Sequence, residues 1–112
     1  ASASPSLLKH FTDGYSHGIT VTCPGFYGPQ GRSLRLESKI KDIHLKLGSF
    51  QHQGLQIVNF EMESSAIFAL GRQLGHACTT ICLGVANRPN LAFSKGCEQE
   101  MNDLIHYVLD RF

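Results

Sequence analysis

An excess of charge of either sign is lacking in this sequence. Ten Lys and Arg stand against nine Asp and Glu, a net charge of +1 over 112 residues, which gives no electrostatic case for nucleic acid or an anionic membrane as partner. Charged residues make up 17% and apolar residues 42%, ordinary for a globular domain able to bury a core. No apolar run approaches the roughly 18 residues of a spanning helix. The stretch Ala1-Ser2-Ala3-Ser4-Pro5 has neither the basic nor the apolar region of a signal peptide. Cys23, Cys78, Cys82 and Cys97 form no tight CxxC pair, and three lie in or beside apolar runs. That usage fits buried free thiols in a reducing, cytoplasmic compartment. His76, Cys78 and Cys82 are poorly spaced for zinc and sit in an apolar setting. There is no GxGxxG, P-loop, HExxH or nucleophile elbow.

The pattern that is present alternates strands and helices. Ser4-Pro5 suits the start of a short helix carrying Leu7, Leu8 and Phe11, ended by Asp13-Gly14. Residues 17–24 read as a buried strand, and Leu34-Arg35-Leu36 as a short extended piece. Lys39 to Leu47 reads as a helix stopped by Gly48. Leu55 to Phe60 reads as a strand. Glu63 to Leu74 then gives a helix with Ala66, Ile67, Ala69, Leu70 and Leu74 on one face and Gly75 just beyond it. Thr79 to Ala86 is β-branched and apolar, the composition of a fully buried strand. Gly96 to Phe112 reads as an amphipathic helix with Met101, Leu104, Ile105, Val108 and Leu109 inward. Strands separated by helices imply crossovers, hence an α/β fold with a mixed, mostly parallel sheet flanked by helices, one domain over residues 1–112. Ligands bind such sheets beyond the carboxyl ends of the strands.

Three polar groups fall at those ends. The loop Gly25-Phe26-Tyr27-Gly28-Pro29-Gln30-Gly31-Arg32 holds three glycines and a proline, so its backbone is a shaped turn. It is either a surface loop with a tucked aromatic, or a site where Phe26 stacks on a planar ring, the Gln30 amide reads its edge, and Arg32 stabilises charge on a carbonyl oxygen. Glu61-Met62-Glu63 is either a pair of acids favoured by a helix N-terminus, or a carboxylate acceptor for sugar hydroxyls with Met62 as an apolar wall. Asn87-Arg88 is either a simple turn or a means of presenting Arg88 to the same rim.

At these residues the chain resembles the uridine phosphorylase branch of the nucleoside phosphorylase family. Phe26-Tyr27-Gly28-Pro29-Gln30-Gly31-Arg32 is similar to that branch's Phe-Tyr-x-x-Gln-x-Arg segment. Phe60-Glu61-Met62-Glu63-Ser64-Ser65-Ala66 is similar to the family's Glu-Met-Glu segment entering a helix, and Gly84-Val85-Ala86-Asn87-Arg88 to its late strand end. Order and spacing agree over roughly residues 17–112. The resemblance implies a nucleoside phosphorylase-type three-layer domain and reversible phosphorolysis of uridine to uracil and ribose 1-phosphate. It implies that Phe26, Gln30, Arg32, Val85 and Arg88 bind the base, and that Glu61, Met62 and Glu63 bind the ribose. Arg32 and Glu63 would carry the catalysis. No metal or organic cofactor is implied, inorganic phosphate being a co-substrate. The partners implied are a small-molecule nucleoside and phosphate, with further copies of the chain in a dimer or hexamer.

Two departures qualify the match. Gly28-Pro29 stands where many relatives have Pro-Gly, and the phosphate-binding glycines and arginines of relatives lie upstream, with no counterpart here. The resemblance therefore implies a carboxyl-terminal portion of a domain, open on its missing sheet neighbours and inactive alone. Purine phosphorylases and nucleosidases share Glu-Met-Glu but use an aspartate after the late strand, where this chain has Ala86-Asn87-Arg88. A truncated, non-catalytic nucleoside- or partner-binding module is the third reading.

Overall fold

The structure, a computed structural model, describes residues 1–87 and 90–112. The chain forms two compact units, Ala1–Thr80 and Ile81–Phe112.

The first unit is built on a three-stranded mixed sheet. Strand β1 (Ile19–Thr22) runs parallel to β3 (Leu55–Glu61), and β2 (Gln51–His52) lies antiparallel on the other side of β3. The β2–β3 hairpin was not legible in the sequence. Its two turn residues, Gln53 and Gly54, have φ of 51° and 78°, the double left-handed geometry that matches strand twist, and glutamine is an unusual residue for the first of them. Helix α1 (Pro5–Leu8) is one turn with Pro5 at its start, and it ends before Phe11, which is buried. Residues 34–36 bend instead of extending as a strand. Helix α2 (Ile43–Gly48) starts four residues later than the periodicity suggested and includes Gly48. It meets β3 through an edge-to-face contact of His44 with Phe60, centroids 6.1 Å apart.

Helix α3 (Ser64–Gln73) follows β3 after two residues. Its end is a Schellman motif: Gly75 N–H donates to Arg72 O at 3.3 Å and His76 N–H to Gly71 O at 2.8 Å. Gly75 carries φ 75°, so the glycine beyond the helix is required by backbone geometry.

The second unit holds a two-stranded antiparallel ribbon, β4 (Ala86–Asn87) with β5 (Ala92–Phe93), and helix α4 (Glu98–Leu109). The expected buried strand at 79–86 is not formed. Residues 79–85 do not adopt a strand, and their exposure alternates instead of vanishing. β-Branched composition makes a strand only where a ladder exists to join.

The expectation of a substantial core is also corrected. Among the described residues the buried apolar side chains are Phe11 and Cys23. The apolar stripe of α3 (Ile67, Leu70, Leu74) is exposed, as are Met101, Ile105 and Leu109 of α4. All four cysteines are free thiols, but Cys82 is exposed where burial was expected. Among the described residues no helix is long and apolar enough to cross a membrane, and no group of three or more His, Cys, Asp or Glu is arranged to hold a metal ion.

Candidate functional site

Two of the three sequence motifs leave adjacent parallel strands at the same end. Thr22, the last residue of β1, pairs with Glu61, the last residue of β3, and Cys23 N–H donates to Glu61 O at 2.8 Å. The 25–32 loop and the Met62-Glu63 segment therefore start one strand spacing apart. The third motif lies on β4 in the second unit. Val85, just before β4, is exposed, and Arg88 falls outside the described residues.

On the β1 side the chain bends through Pro24–Tyr27 into a 3-10 turn, Gly28–Gln30, and closes with Gly31 at φ 75°. A Cβ at Gly31 would lie 2.3 Å from Ile43 Cγ2, so this position needs glycine for both its backbone angle and the approach of α2. The turn folds Arg32 back over the loop. Its guanidinium lies 3.5 Å from the Phe26 ring centroid, donates to Gln30 Oε1 at 3.0 Å and also donates to the Phe26 carbonyl. Gln30 is 4% exposed, a buried amide in a loop whose aromatics, Phe26 and Tyr27, stand exposed and edge-to-face at 5.2 Å. Phe26, Gln30 and Arg32 are thus one assembled group, with a cation against an aromatic face.

On the β3 side every early amide of α3 has a partner. Glu61 Oε2 accepts from Glu63 N at 2.7 Å and Ser64 N at 2.5 Å. Ser65 N–H donates across the sheet to Thr22 Oγ1 at 3.0 Å, and the Thr22 hydroxyl donates to Glu61 Oε1. The amides of Ala66 and Ile67 donate to Glu63 O at 3.1 and 3.3 Å. These are the orphan donors that a helix start must satisfy. The cap comes from a carboxylate two residues upstream and a hydroxyl on the next strand, not from the side chain of Glu63 at the N-cap itself.

Burial pushes the Glu61 carboxyl up. Hydrogen bonds from Ser64, Thr22 and the Ser64 and Glu63 amides outweigh it and hold the group at about 2, against an ordinary 4.5. The Ser64 hydroxyl is the uneven member of that set. Its Oγ is buried and, among the described residues, makes no hydrogen bond of good geometry, so the two amides and Thr22 carry the effect. Both Glu61 side-chain oxygens are taken up internally. Glu63 instead stands exposed, its carboxylate accepting from Met62 N at 3.2 Å, and Met62 is exposed beside it.

A hollow of about 1070 Å³ opens beyond the loop, between Tyr27, Pro29, Arg32, Leu34, Leu36 and Ile40. Of the residues singled out from sequence it takes in Arg32, while Phe26, Gln30, Met62 and Glu63 lie outside its lining. It is floored by exposed leucines of the 33–40 bend, so the paired strand ends are the better-built candidate.

Sequence reasoning did not find Thr22. Its signal was only a hydroxyl at the end of a strand; its value depends on standing opposite Glu61, which is a matter of register. A second rung on β1 repeats it, Thr20 Oγ1 donating to Asn59 Oδ1 at 2.7 Å.

A mixed α/β unit with a carboxylate-capped helix and an aromatic–amide–guanidinium loop at one sheet end is the class these observations define. The family profile described as the phosphorylase superfamily matches residues 1–112, and the chain belongs to that superfamily. This agrees with the nucleoside phosphorylase resemblance of the two strand-end motifs. Searches of curated proteins and of solved structures return no match.

Proposed function

We propose that this protein acts as a uridine phosphorylase, exchanging the base of a pyrimidine nucleoside for phosphate. The observation that carries the reading is the β1–β3 pairing, which starts the Phe26–Arg32 loop and the Met62-Glu63 segment from adjacent strand ends. Base recognition and sugar recognition need such neighbouring origins.

In the forward direction a phosphate oxygen bonds to the anomeric carbon as the C1′–N1 bond breaks, and the bonding pair leaves with uracil. The charge spreads to the carbonyl oxygens of the base before a proton is taken up. Arg32 suits the stabilisation of that charge, because a preorganised guanidinium needs no reorientation during the step. Gln30 accepts from Arg32 and with it reads the base edge, while Phe26 supplies the stacking surface. Glu63 accepts from the ribose 2′-hydroxyl and stabilises the cationic sugar as the bond lengthens, with Met62 as the apolar wall. The catalysis asked of these side chains is positioning and electrostatics, with inorganic phosphate as the second substrate.

The test is phosphate-dependent cleavage of uridine and inosine by the full-length protein. Release of uracil from uridine, with inosine untouched, is expected. Cleavage of inosine alone would replace this reading with a purine one.

A further inference from the structure

We propose that Thr22 and Glu61 form a latch that positions Glu63 for the sugar hydroxyl, with Thr22 acting through Glu61 and not on the nucleoside. The inference rests on the nucleoside reading above and assigns part of its specificity.

The geometry fixes the backbone of residue 63 from both sides. Its N–H is held by Glu61 Oε2 at 2.7 Å, and its carbonyl accepts from Ala66 and Ile67 at the first turn of α3. Glu61 is fixed in turn. Its Oε1 takes the Thr22 hydroxyl, its Oε2 also takes Ser64 N, and its carbonyl accepts Cys23 N. Thr22 closes the circuit by accepting from Ser65 N at 3.0 Å. One hydroxyl therefore ties β1, the end of β3 and the start of α3 together. The Glu63 side chain is not used in that circuit; its single internal contact among the described residues is with Met62 N. Removing the Thr22 hydroxyl at constant shape leaves Glu61 Oε1 and Ser65 N–H without their partner and loosens the one turn from which Glu63 projects. A carboxylate that must meet a hydroxyl within a few tenths of an ångström is sensitive to such slack.

The experiment measures kcat and KM on uridine and 2′-deoxyuridine for the full-length protein, Thr22→Val, Thr22→Ser, Glu63→Gln and the Thr22→Val/Glu63→Gln double variant. Backbone amide exchange at residues 63–65 is followed in parallel. Thr22→Val is expected to lower the uridine-to-deoxyuridine ratio of kcat/KM by about tenfold, the scale of one hydrogen bond to a charged group. Thr22→Ser is expected to restore the ratio, and Thr22→Val to add nothing in the Glu63→Gln background. Amide exchange at residues 63–65 should quicken in Thr22→Val. Equal losses on both nucleosides, or an undiminished Thr22→Val effect in the absence of the Glu63 carboxylate, overturns the latch. If the unaltered protein cleaves neither nucleoside, the nucleoside reading is what has failed. Exchange then decides the latch alone: quickened exchange upholds the fixing of residue 63, and unchanged exchange removes it.

Discussion

The segments that continue β1 and β3 begin one strand apart and are held by opposite means. After β3 the chain is secured by charge: one carboxylate and one hydroxyl satisfy the Glu63, Ser64 and Ser65 amides at the start of α3. After β1 it is secured by shape, through a 3-10 turn, a left-handed glycine under α2 and an arginine laid on its own aromatic. The charged junction puts its work into holding backbone and leaves one acid, Glu63, facing outward. The shaped loop holds its functional side chains directly, so its binding groups and its structural groups are the same residues. Substitutions in the two places should therefore fail differently: in turnover and in stability at neutral pH on the shaped side, in sugar selectivity and in acid stability on the charged side.

The largest effect should come from Arg32→Ala. Loss of the cation should cut kcat for uridine by about 10²–10³, the range for removing one preorganised donor from a developing oxyanion, with a smaller change in KM. An unchanged kcat with only a raised KM would make Arg32 a binding residue alone. Next is Gly31→Ala. A side chain at φ 75° that also meets Ile43 at 2.3 Å should cost about 1–3 kcal/mol in urea unfolding. Gly28→Ala is the control, since a Cβ there meets nothing within 4 Å. Equal stability of the two variants would mean that the loop is not held by shape.

The smallest effect is the acid dependence of the charged junction. Folding lowers the Glu61 carboxyl from 4.5 to about 2. The unfolded chain therefore takes up the proton first, and the stabilisation is complete above pH 4.5 and lost as pH falls towards about 2. Stability measured across that window should decline in the unaltered protein, and the decline should be shallower in Glu61→Gln. Parallel curves would show that this carboxylate does not support the junction.

Legibility in the sequence followed the range of the forces involved. Helix α3 and strand β3 were readable because their apolar period and flanking residues act within a few positions, and Gly75 was readable as the residue a Schellman ending demands. The loop was readable as a turn, and its Phe, Gln and Arg as a group worth assembling. The hairpin at Gln53-Gly54 was missed because a non-glycine residue takes the left-handed angle there. The stretch 79–86 was misread because composition cannot report whether a partner strand is present. The exposed stripes of α3 and α4 show the same limit, since amphipathic spacing states which face needs cover and not whether cover is at hand.

What the amino-acid order determined alone is the local grammar: where α3 begins and ends, that residues 25–32 must turn, and which side chains carry chemistry. What only the tertiary structure decided is the division of labour between the two acids of Glu-Met-Glu. Glu61 became the anchor and Glu63 the outward acid because β1 came to lie parallel to β3 with Thr22 opposite Glu61. Register is set by contacts between residues 39 positions apart, and no periodicity within either segment encodes it.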